Sequence, residues 1–144
     1  MLLELLATLA CGLFTGAALY INLVEHPARM QCGSVLAVTE FAPSYQRAAI
    51  MQALLAAVGS VCAIVTWLAG SSVWWLIGGL LLGAVIPFTL VVIFPTNKQL
   101  LDPSLDKNSP LATQLLTRWG QLHAVRTLLS LTAFVIFLLV RAPR

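Results

Sequence analysis

Four long apolar stretches, joined by short segments that hold nearly all the unusual polar residues, leave this chain very few folds to adopt. Each stretch is ~20 residues or longer, enough at about 1.5 Å of rise per residue to cross a hydrocarbon core ~30 Å thick. Backbone polar groups in lipid must be satisfied within their own element, so the stretches are predicted to be helices rather than strands. The expected spans are about residues 2–24, 44–69, 73–94 and 111–140, with Pro43 and Pro110 starting the second and fourth and Pro95 ending the third. Hydrophobic residues make up 60% of the chain and charged residues only 9%, against about 25% charged in a soluble domain. The fold class is therefore all-α. A single integral membrane domain over residues 1–144 is expected, built as a bundle of four transmembrane helices.

The connections refine this picture. Gly70-Ser71-Ser72 is short enough to make the second and third helices an antiparallel hairpin. Four spans place both termini on one side of the membrane and segments 25–43 and 95–110 on the other, here called the loop face. Segment 25–43 has room for a short amphipathic segment between the first two helices, with Met30, Val35, Leu36 and Val38 as its apolar contacts. The loop face carries Arg29, Arg47, Lys98, Lys107 and Arg118, and the terminal face Arg141 and Arg144, so by count the loops are expected in the cytoplasm. Trp74 and Trp75 are expected as interfacial belt residues at the opposite face. Met1-Leu2-Leu3-Glu4 lacks the basic start of a cleavable signal, so the first helix reads as retained.

Several function classes fall away. The eight basic residues are scattered and form no run that would neutralise a row of phosphates, which argues against nucleic acid as a partner. Cys11, Cys32 and Cys62 form no C-x-x-C pair, which argues against a thiol relay or a structural zinc site. Gly12-Leu13-Phe14-Thr15-Gly16 and Gly79-Leu80-Leu81-Leu82-Gly83 permit close helix approach, either within one chain or in a homo-oligomer.

The chemistry-bearing residues gather toward the loop face. On the first helix Cys11, Thr15, Ala18, Asn22, Glu25 or His26, and Arg29 recur at three- and four-residue intervals and form one face. Tyr45, Ala49 and Gln52 share a face of the second helix; Trp119, His123, Arg126 and Ser130 share one on the fourth; Asn97 lies just past the third. Turned outward, Gln52, His123 and Arg126 would face lipid at high cost, so they are predicted to line an inward pocket that opens toward the loop face. Both histidines of the chain belong to this set.

Phe14-Thr15-Gly16-Ala17-Ala18-Leu19-Tyr20 leading into Glu25-His26-Pro27-Ala28-Arg29, then Tyr45-Gln46-Arg47, then Pro87-Phe88-Thr89, recur in a recognisable order. Pro95-Thr96-Asn97-Lys98-Gln99-Leu100-Leu101 and Arg118-Trp119 followed by Leu122-His123 and Arg126 complete it. In these segments the chain resembles the anthrone-oxygenase-like membrane family (DUF1772), over nearly its whole length. The resemblance implies a four-helix membrane protein and, for some members, oxidation of an anthrone methylene to a quinone carbonyl by molecular oxygen.

Three readings follow. In the first the chain is a membrane-embedded oxygenase acting on a flat, lipophilic, phenolic or anthrone-like substrate from the bilayer. His123 or His26 is then the base, Arg126 or Arg29 stabilises the developing oxyanion, and Asn97, Tyr45 and Gln52 orient polar edges. Trp119 supplies a stacking wall, Glu25 and Asn22 further polar contacts, and no cofactor is required. In the second, His26 and His123 hold haem or a metal ion. In the third the pocket belongs to a non-enzymatic carrier or assembly factor for a lipophilic molecule.

Overall fold

The computed structural model describes residues 1–142; Arg144, counted above with the terminal face, lies outside them. Four helices run Leu2–Gln31, Ser34–Leu68, Val73–Leu100 and Pro110–Arg141, each long and apolar enough to cross a membrane, which makes the chain a multi-pass membrane protein. Among the described residues there is no strand. The first helix packs against the second and fourth, and the third against the same two, so first and third face each other diagonally. Residues such as Leu13, Leu54, Leu80 and Leu128 point outward and stay exposed, the expected surface toward lipid.

The helices outrun their apolar spans, and this corrects the sequence reading. The second helix begins at Ser34, not near residue 44, and contains Pro43 instead of starting with it. An interior proline costs about 3 kcal/mol in a helix. Here the turn around it is held by burial: Ala37, Val38 and Phe41 join Ala112, Leu115, Leu116 and Trp119 of the fourth helix in one apolar cluster. The amphipathic stretch is thus the first part of the second helix. Its buried side is Ala37, Val38 and Phe41, whereas Val35 and Leu36 are half exposed. Only Cys32 and Gly33 separate the first two helices, and Gly33 makes the reversal at φ 87°, where a side chain would be strained.

Two prolines shape the site end. Pro27 and Pro95 each follow a single π-helical turn, Ile21–Glu25 in the first helix and Thr89–Ile93 in the third. A proline lacks the N–H for the usual ladder and its ring crowds the carbonyl four residues back. The wider turn just upstream, closed by His26 N–H to Ile21 O and Phe94 N–H to Thr89 O, accommodates it and lets the helix continue. The third helix therefore runs to Leu100 instead of ending at Pro95, and Asn97 is a helical residue. Two residues beyond each proline, Arg29 and Asn97 are both buried.

Close packing within the chain uses most of the glycine pattern. A side chain at Gly79 would meet Ala63 at 3.1 Å, and one at Gly83 would meet Ser60 Oγ at 2.7 Å, on the second helix. A side chain at Gly12 would meet the Phe134 ring at 2.9 Å, while Gly16 faces open space. Ser60 Oγ donates to Gly79 O at 2.7 Å across this contact. Trp75 departs from its expected interfacial role: it is buried and stacked on Phe137 at 5.0 Å, whereas Trp74 is exposed.

Candidate functional site

A cavity of about 170 Å³ lies among the four helices at the end that carries the two π-helical turns. Its walls include Phe14, Glu25 and Arg29 from the first helix, and Phe41, Tyr45 and Gln52 from the second. Thr89 and Asn97 of the third and Trp119, His123 and Arg126 of the fourth complete them. Only two of the lining residues are exposed, Ala53 and Leu90, so the cavity opens sideways between the second and third helices and not, as expected from the sequence, toward the loop face. The second helix is built for such a gap, with Ala48, Ala49, Ala53 and Ala56 along the cavity.

His123 is fixed by a three-residue network. Its Nδ1 lies 2.7 Å from Asn22 Oδ1. The same amide oxygen accepts from Thr127 Oγ1 at 2.5 Å, and Asn22 Nδ2 donates to Gly120 O at 3.1 Å. A flipped amide would set oxygen against the Gly120 carbonyl, so the network itself defines the orientation. Since Oδ1 only accepts, Nδ1 carries the hydrogen and the lone pair of the neutral ring is on Nε2. Asn22 thus stands behind His123 and does not line the cavity; the expected substrate contact is a support for the ring instead.

Arg126 donates from Nη2 to Gln52 Oε1 at 2.7 Å, with its Cζ 5.4 Å over the Phe14 ring. Both point inward, as a polar group in a lipid-embedded helix must when lipid offers no partner. Several buried atoms around them lack any partner: Arg126 Nε, Gln52 Nε2, and both Nδ2 and Oδ1 of Asn97. An unsatisfied buried polar atom costs about 1–3 kcal/mol, so these four mark the polar part of the cavity wall, to be completed by water or by a ligand.

Arg29 is treated differently. It is 4% exposed, forms an ion pair with Glu25, and approaches Glu40 Oε2 through Nε at 2.9 Å as a charge contact without an aligned hydrogen bond. Ser44 Oγ donates to Glu25 Oε1 at 2.8 Å. The guanidinium also stands 5.7 Å from the Trp119 ring and 6.0 Å from that of Phe41. Arg29 and Glu25 therefore form a closed cluster at the loop end of the cavity.

The expectation that both histidines line one cavity is not met. His26 faces a shallow groove on the outside of the first and fourth helices, together with Asn22, Met30, Thr117, Gly120, Gln121 and Ala124. Its ring packs on Trp119 at 5.2 Å, and Trp119 in turn stacks on His123 at 4.8 Å. Gly120 makes room for it, since a side chain there would come within 2.6 Å of His26 Nε2. The physical reason is helical register: the cavity face of the first helix runs through Phe14, Ile21, Glu25 and Arg29, whereas His26 shares the neighbouring outer face with Asn22 and Met30. A haem or metal ion shared by His26 and His123 would need both rings on one space, which this geometry does not provide. Among the described residues no three His, Cys, Asp or Glu side chains converge either.

Sequence reasoning missed Thr127, Glu40, Phe41 and Ser44. Thr127 was findable, because it lies four residues after His123 on the same helical face. Glu40 and Phe41 lay hidden in a segment read as connection, and Ser44 at the expected start of the second helix.

Residues 41–136, more than half of the chain, match the family model described as anthrone oxygenase. No curated protein and no solved structure matches the chain. The matched stretch contains Tyr45, Gln52, Asn97, Trp119, His123 and Arg126, six of the residues that line the cavity. The chain, a multi-pass membrane protein, belongs to the anthrone oxygenase family.

Proposed function

We propose that the chain is a membrane-embedded oxygenase that takes a flat, lipophilic, anthrone- or phenol-like substrate from the bilayer and oxidises its activated methylene with molecular oxygen. One observation carries this reading: His123, its Nδ1 committed to Asn22, shares an aromatic-walled cavity with the Arg126–Gln52 pair. A base and an anion-stabilising group on one small cavity are what removal of a proton next to a carbonyl-conjugated ring requires.

The chemistry runs through this chain's own residues. His123 Nε2 takes a methylene proton, and the electron pair delocalises onto the substrate's carbonyl oxygen. Arg126 and the free N–H of Gln52 Nε2 are the donors for that oxyanion. The carbanion passes its electrons to oxygen, a C–O bond forms, and the resulting hydroperoxide takes up the proton held on Nε2. Loss of the second methylene hydrogen as a proton, with cleavage of the O–O bond, leaves a carbonyl and one water. One methylene and one dioxygen give one carbonyl and one water, and no cofactor is needed for the balance.

Binding follows from the walls. Trp119, Phe14 and Phe41 give the cavity aromatic walls, and Tyr45 and Asn97 polar contacts at its edges. An enclosed volume of about 170 Å³ is on the scale of a ~150 Å³ void that holds benzene, so about one ring fits inside. The rest of a larger substrate extends into the opening at Ala53 and Leu90. In this reading both termini lie on one side of the membrane and the cavity near the other.

The test is turnover of an anthrone by the purified protein in lipid nanodiscs under ¹⁸O₂. The expected result is quinone formed faster than in protein-free nanodiscs, with one ¹⁸O in the new carbonyl. Saturable anthrone binding with no quinone above that background would instead favour a carrier.

A further inference from the structure

We propose that the cavity is a seat for lipophilic aromatic anions, with the Arg126 guanidinium as their counter-charge. Two arginines turned into the bundle make the contrast, Arg29 buried and Arg126 partly buried. Arg29 has Glu25 and Glu40 beside it, whereas no carboxylate among the described residues lies within ion-pair distance of Arg126. Its partners are a neutral amide oxygen on Gln52 and the face of Phe14. Glu25, the one carboxylate on the cavity wall, is already engaged by Arg29 and Ser44.

A cation held inside a lipid-embedded bundle without a counter-ion is costly, and such a charge ordinarily finds its partner in a neighbour or in a ligand. The neighbours here are neutral. The free atoms around it add donors, from Arg126 Nε, Gln52 Nε2 and Asn97 Nδ2, against a single free acceptor, Asn97 Oδ1. Gln52 and Asn97 are 2% and 1% exposed, so bulk water does not satisfy them. Donors grouped around an uncompensated cation, with aromatic walls beside them, suit a planar ring that carries a carboxylate or phenolate oxygen. A neutral ligand of the same shape would leave the guanidinium uncompensated.

The inference rests on the oxygenase reading only in using the same cavity: an arene anion at Arg126 imitates the oxyanion that proton removal creates. It extends that reading by making stable aromatic anions ground-state ligands, and therefore competitors of the substrate.

The experiment compares 2-naphthoate with 2-naphthamide, a neutral isostere, by calorimetric titration of the protein in nanodiscs, corrected for partition into empty nanodiscs. Naphthoate is expected to bind at least about tenfold tighter than the amide, and Arg126→Gln to abolish that preference. Equal affinities in the wild type, or a preference that survives Arg126→Gln, would overturn the proposal. Tryptophan fluorescence gives a reading without substitution at 126. The change that naphthoate induces should vanish in Trp119→Phe, and its persistence there would place the anion elsewhere and overturn the proposal as well. If naphthoate shows no preference while an anthrone is still oxygenated, the anion seat fails and the oxygenase reading stands. If naphthoate binds through Arg126 while no anthrone is oxygenated, the seat stands and the oxygenase reading fails.

Discussion

His123 Nδ1 and Asn22 Oδ1 stand 2.7 Å apart, and this contact decides which imidazole nitrogen is left for chemistry. The two residues come from the fourth and first helices, which are neighbours in the bundle. Thr127 and the Gly120 carbonyl hold the amide in place, so the tautomer is imposed by three hydrogen bonds and not by the ring alone. Asn22 is on this view a positioning residue, acting through His123.

Asn22→Leu should therefore lower kcat of quinone formation roughly tenfold or more, short of the ~10²–10⁴ attributable to a general base itself. KM should change little, because Asn22 does not line the cavity. Thr127→Val, which removes one of the two donors to Oδ1, should show a smaller loss of the same kind. Steady-state kinetics of both variants check this; a rise in KM at unchanged kcat would show that Asn22 contacts substrate instead.

His26 and Gly120 are expected to be coupled through packing. Gly120→Ala places a methyl group within 2.6 Å of the His26 ring and should destabilise the protein by about 1–3 kcal/mol. Adding His26→Ala should recover part of that loss, a coupling readable in thermal melts of the single and double variants in detergent. Turnover should fall much less in His26→Ala than in His123→Gln. An equal fall would return His26 to the reaction.

Ala53 stands at the lateral opening, opposite Leu90. Ala53→Trp should fill the gap and reduce kcat/KM for a three-ring anthrone well beyond its effect on binding of a single-ring phenol, which fits in the enclosed space. The two ligands measured on one variant separate blocked access from misfolding. Equal losses for both would mean that the substrate does not pass between these helices.

The Arg29 cluster should matter for stability more than for chemistry. Arg29→Leu leaves Glu25 and Glu40 without their shared cation. The expected loss is about 2 kcal/mol, below the ~3–5 kcal/mol of a fully buried pair because Glu40 is 38% exposed. Lys107→Ala, which removes only an exposed contact to Thr39, should leave the melting temperature nearly unchanged.

The bundle was legible because length and apolarity leave few alternatives in lipid, and those two quantities are written directly in the chain. The inward turn of Gln52, His123 and Arg126 was legible for the same reason, since lipid penalises the other orientation. The helix ends and His26 were not. Pro43 and Pro95 read as boundaries by local rule, but burial of Phe41 around the first and a π-helical turn before the second carry the helices through them. A π-helical turn has no side-chain signature of its own. A face traced at three- and four-residue steps from Thr15 leaves Glu25 and His26 as alternatives; the structure puts Glu25 on the cavity and His26 behind Trp119, on the outer face with Asn22 and Met30. The role of Asn22 escaped for another reason: its partner lies 101 residues away, and only the packing of the first helix on the fourth brings them together.

The most direct measurement is quinone formation by His123→Gln beside the wild type in nanodiscs, with anthrone binding measured on the same preparations. Glutamine keeps a polar side chain near the network but cannot accept the methylene proton. The expected result is a loss of roughly 10²–10⁴ in kcat with substrate affinity kept within a few-fold. A variant that forms quinone at the wild-type rate would contradict the assignment of His123 as the base.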